Sequence, residues 1–121
     1  MKLLRLFTIA ASAIAMAGCG KHKQADASQP LTQSFQAAEP ATKQAVQVVA
    51  SQLRSGNYAE VAKSLPPILN QPNLTAQQKR AIGLALDQMN KAVAENPALD
   101  TKEMYELRQR MFRAVDGGPR F

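Results

Sequence analysis

The chain has one cysteine, one histidine and no tryptophan. A single thiol, Cys19, excludes a disulfide within the chain. The histidine, His22, lies three residues later and leaves the rest of the chain without an imidazole, so neither a paired metal-ligand set nor a Ser-His-Asp arrangement can be assembled there. With four phenylalanines and two tyrosines there is little to stack on bases or sugars, and the net charge of +6 is not read as a nucleic-acid footprint. Long apolar runs are lacking too. The uncharged stretch from Leu6 to Ala17 is twelve residues, against about twenty for a helix that spans a bilayer. No segment alternates apolar and polar residues as a half-buried strand does, and no glycine-rich phosphate loop occurs.

The N-terminus opens with two positive charges in "MKLLR", continues through the apolar "LFTIAASAIAMA" and ends in small residues, the order of a secretory signal peptide. Its close, Met16-Ala17-Gly18-Cys19, resembles the lipobox of bacterial lipoproteins, with Met where Leu is usual. The resemblance implies cleavage between Gly18 and Cys19, a diacylglycerol on the Cys19 sulfur, and a further acyl chain such as palmitate on the new amino group. Each buried methylene adds about 0.8 kcal/mol of membrane affinity, so two or three chains make a stable anchor. Gly20, where an Asp tends to retain enterobacterial lipoproteins at the inner membrane, favours the outer membrane by the same resemblance. The expected setting is the cell envelope, lipid-anchored and facing the periplasm. Loss of residues 1–18 removes Lys2 and Arg5 and lowers the net charge to +4.

Residues 19–40 comprise the acylated cysteine and a stretch rich in Gln, Ala and Ser with two prolines and only Leu31 and Phe35 as sizeable apolar groups. So little apolar surface does not offset the entropy of ordering, and the composition predicts a flexible tether. Fully extended, about twenty residues reach on the order of 70 Å. Lys21 and Lys23 are placed to touch anionic headgroups.

From residue 41 apolar residues recur at helical spacing. Val46, Val49 and Leu53 mark a first helix over 41–55, with Gly56 as its C′ residue. Asn57 and Glu60 read as a capping box opening a second helix at Tyr58, which Pro66-Pro67 stops or kinks before a last packed turn at Ile68 and Leu69. Thr75 and Gln78 cap a third, carrying Ile82, Leu86, Met89 and Val93 inward as far as Asn96-Pro97. A fourth opens at Asp100, with Glu103 in the capping position, turns Met104, Leu107, Met111 and Val115 inward and ends at Gly117-Gly118-Pro119. The fold class is all-α: a small antiparallel bundle of about four helices over 41–116, followed by a tail at 117–121. The turn "LRSGNYAEVAKSL", residues 53–65, resembles the middle of a tetratricopeptide repeat through Gly56, Asn57, Tyr58, Glu60 and Leu65, without a second copy about 34 residues on.

The folded part offers carboxylates for chemistry and little else. Asp100 and Glu103 read as caps, while Asp87–Lys91 and Glu106–Arg110 are spaced as surface pairs. No metal ligand set, cofactor motif or catalytic residue is assigned, and the chain is read as a non-enzyme. Arg108, Arg110 and Arg113 are the candidate contacts to an anionic partner. The reading is a non-enzymatic helical interaction module held on a membrane through Cys19, its partner a protein or an envelope component. The alternatives are a pilotin-like accessory of secretion or pilus assembly, and a small carboxylate-dependent envelope hydrolase. Exposed apolar edges on so small a bundle leave room for a homodimer.

Overall fold

In a computed structural model the described residues are 26–117. Six α-helices follow one another: α1 (Ser28–Ser34), α2 (Pro40–Ser55), α3 (Tyr58–Ser64), α4 (Pro66–Leu69), α5 (Ala76–Glu95) and α6 (Lys102–Asp116). A 3₁₀ turn, Pro97–Leu99, joins the last two, and there is no strand among the described residues. The protein is an all-α bundle, as the periodicity predicts.

The local chemistry of the sequence accounts for most of the element ends. Gly56 takes φ +73°, its N–H donates to the carbonyl of Leu53 at 3.2 Å, and the N–H of Asn57 donates to that of Gln52 at 2.9 Å. That is a Schellman closure of α2, and it turns the chain back along α3. At Thr75 the capping box is complete: its hydroxyl accepts from the N–H of Gln78, and its own N–H donates to Oε1 of Gln78, both at 3.0 Å. Pro66-Pro67 kink the chain without ending its helical course. Leu65 stays in the right-handed region, completely buried, and its carbonyl accepts from the N–H groups of Ile68 and Leu69. The two prolines fill the first positions of α4, where no N–H is needed.

α5 and α6 run antiparallel. A Cβ on Gly83 would stand 3.7 Å from the nearest Val115 methyl, while Asn90 faces Arg108 at the other end of the pair. α2 packs on α1 and α3, and α5 on α1 and α6. The core these helices share contains Val46, Val49 and Leu53 of α2, Ile82 and Met89 of α5, and Met104, Leu107 and Met111 of α6.

Three expectations are corrected. The predicted tether reaches only part of the way to residue 40, because residues 28–34 form a helix, and its Leu31 and the flanking Ala27 and Phe35 are almost wholly buried. These three lie four apart, one apolar stripe, and a stripe that is fully covered contributes more than its share of the composition suggests. Pro30 sits in the first turn of that helix, where its missing N–H costs nothing. Secondly, α6 is capped by Thr101, whose hydroxyl accepts from the N–H of Met104 at 3.1 Å, and not by Asp100. Thirdly, Asn57 makes no side-chain cap at α3; Glu60 lies 3.5 Å from Lys63 instead.

Candidate functional site

Gly18 and Cys19, the residues assigned to cleavage and acylation, lie outside the described residues. What the structure does describe is where the chain beyond them joins the bundle. The backbone N–H of Ala27 donates to Oε1 of Gln88 at 2.9 Å. The amide nitrogen of Gln88 donates in turn to the carbonyl of Leu53 at 3.1 Å and to the Tyr58 hydroxyl at 3.0 Å. Gln88 is buried, so each of these bonds replaces one that water would otherwise make. One side chain on α5 thereby ties the start of α1 to the end of α2 and the first residue of α3. A second link closes the far end of α1, where Nε2 of Gln78 donates to the carbonyl of Ser34 at 3.2 Å.

The three arginines proposed as anion contacts separate into two kinds. Arg108 is spoken for: one guanidinium nitrogen lies 2.6 Å from Oδ1 of Asp100 and the other donates to Oδ1 of Asn90 at 3.1 Å. Its side chain is only 19% exposed, and it fastens α6 to α5 and to the loop between them. That bond also explains why Asp100 is not the cap of α6. Arg110 and Arg113 are exposed, and among the described residues neither makes an ion pair. The surface pairs expected at Asp87–Lys91 and Glu106–Arg110 are not formed; the ion pairs among the described residues are Lys63–Glu60 and Arg108–Asp100.

Depressions lie at both ends of α6. At one end of α6, a cleft of about 440 Å³ is lined by Leu69, Leu74, Lys79 and Arg113, with Gln71 and Asn73 supplying amides and no carboxylate in its wall. Lys79, in the first turn of α5, is a cation that the sequence offered no reason to pair with Arg113; the two meet only because α5 and α6 are antiparallel. At the other end an apolar groove of about 480 Å³ runs between α3 and the start of α6, walled by Ala59, Ala62, Leu99 and Met104, with Lys63 and Glu103 also in its lining. No cluster of three or more His, Cys, Asp or Glu side chains occurs among the described residues. Nor, among those residues, is any helix long and apolar enough to cross a membrane.

No family model, no curated protein and no solved structure matches the chain.

Proposed function

We propose that the protein is an envelope lipoprotein: a small helical interaction module, non-enzymatic, held on a membrane by acyl chains on Cys19 and facing the periplasm, with the outer membrane as its favoured site. The observation that carries this reading is the basic, apolar, small-residue order of residues 1–19 ending in Met-Ala-Gly-Cys. The position of the bundle sharpens it. Asp26 is seven residues from Cys19, and seven residues span at most about 25 Å. The module is therefore a short-leash device that works close to the headgroups. Its partner-facing chemistry lies in Arg110 and in the cleft shared by Arg113 and Lys79, which suit carboxylate or phosphate groups of an envelope component or of an acidic protein surface.

The experiment is an intact-mass measurement on protein recovered from bacterial membranes, native beside Cys19→Ser. A native chain that begins at Cys19 and carries acyl mass, absent from the variant, supports the reading. A native chain with no added lipid sinks it and leaves a basic helical protein without an anchor.

A further inference from the structure

The outer face of α6 carries exposed aromatic and charged side chains. This helix packs inward on α3, α4 and α5, and no other described helix covers its opposite side. On that side two aromatic rings, Tyr105 and Phe112, are each 55% exposed, the largest exposures among the sizeable apolar residues described. Seven residues apart, they fall on one face two turns from each other. Aromatics held in water on a single face mark an interaction surface more often than isolated apolar residues do.

The charges around them show which partner fits. α6 runs from residue 102 to residue 116, so its midpoint is Gln109. Lys102 and Asp116 lie seven residues to either side of it. Tyr105 and Phe112 lie four before and three after; Glu106 and Arg113 lie three before and four after. Turn a second α6 antiparallel about a two-fold axis at Gln109, and Lys102 meets the partner's Asp116, Tyr105 the partner's Phe112, and Glu106 the partner's Arg113. Each of these contacts then occurs twice, as a two-fold interface requires. At 100° per residue the three sets also keep to their own lanes: the aromatics on one edge of the seam, Glu106 and Arg113 on the other, and Lys102, Gln109 and Asp116 along the middle. A two-fold axis across antiparallel helices preserves those edges, so no lane is crossed.

All seven side chains are exposed, and among the described residues none of the four charged ones makes an ion pair within the protomer. Opposite charges disposed symmetrically about a point and left unpaired match a second copy in both register and direction. A parallel partner would set like beside like. We propose that the protein forms a two-fold homodimer through α6, centred on Gln109. The surface is small, which places the dimer in the weak class, with Kd on the order of 10–100 µM in solution. Tethering two copies to one membrane raises their effective concentration without adding a contact. Arg110 keeps its charge free in the pair, whereas Arg113 is drawn from the cleft it shares with Lys79 to the partner's Glu106, so dimer formation and anion binding in that cleft compete. The inference does not rest on acylation of Cys19, and its test is chosen to be independent of it.

The test uses the full chain in detergent with Cys19→Ser, so that any added cysteine is the sole thiol. Sedimentation equilibrium should show the mass rising from one copy to two across about 5–500 µM. Glu106→Arg and Arg113→Glu should each abolish that rise by setting like charges opposite, and the two together should restore it. In the same background Gln109→Cys should give a dimer with a short bis-maleimide, which adds one thiol at each end, whereas Lys91→Cys, on α5, should not. A monomer at every concentration, or a charge-reversed pair that fails to restore association, overturns the proposal.

Discussion

The N–H of Ala27 donates at 2.9 Å to Oε1 of Gln88, sixty-one residues further along the chain. No short-range signal announces that bond, yet it holds the first residues of the bundle in place. Replacing Gln88 with Ala strands the Ala27 N–H, leaves the Leu53 carbonyl with the Gly56 N–H as its one donor, and opens a gap between α1, α2 and α5. The expected loss is about 2–4 kcal/mol, read as a lower midpoint with unchanged slope in urea unfolding. A loss under about 0.5 kcal/mol would mean that the bonded groups are already open to water.

α1 belongs to the core, and mutation can weigh that. Leu31→Ala and Phe35→Ala should cost about 2–5 kcal/mol each, the range for emptying a packed site. Val48→Ala, at a position 47% exposed, should stay within about 0.5 kcal/mol. Wild-type-like stability in both α1 variants would return residues 26–40 to the status of a leash.

The cap of α6 separates two neighbours. Thr101→Ala removes the oxygen that accepts from Met104 and should cost about 1 kcal/mol. Asp100→Ala leaves the cap intact and frees Arg108; because the two side chains bond to different partners, the two changes should add to within about 0.5 kcal/mol. A double-mutant cycle in thermal unfolding reads the difference.

Arg108 and its helix-mates are predicted to part company. Arg108→Ala removes a bond to Asp100 and another to Asn90 together with packed methylenes, and lowers stability. Arg110→Ala and Arg113→Ala, both at exposed positions, should leave the unfolding midpoint unchanged and instead weaken retention on anionic vesicles in flotation assays. Equal stability losses for all three would remove the distinction.

Gly56 holds φ +73° with open space around its α-carbon, so Gly56→Ala should cost about 1–2 kcal/mol through the backbone alone. Gly56→Asn, which tolerates that region better, should cost less. Circular dichroism melts of the two variants decide it.

How much of this was legible in the sequence depended on range. The stripe of Val46, Val49 and Leu53, the Thr75–Gln78 box and the Gly56 stop are written within a few residues of where they act, and they stand in the structure as read. α1 escaped because its apolar residues are three in a stretch of polar ones, and composition counts residues without knowing what covers them. Asp100 was misread for a related reason: as a cap it needed only Glu103 nearby, but a guanidinium eight residues away claims it. The pairing of Lys79 with Arg113 in one cleft likewise depends on the antiparallel course of two helices, which periodicity within either helix does not encode.

The anchor proposed at Cys19 would also be a mechanical attachment, and the bundle has a definite point at which load along the chain is received. Tension arriving along the chain at Ala27 passes through its N–H into Gln88, and from there to Leu53 at the end of α2 and Tyr58 at the start of α3. The force is divided among three elements before it can peel α1 away. A pull along the chain at Ala27 is thus carried by α2, α3 and α5 together rather than by α1 alone.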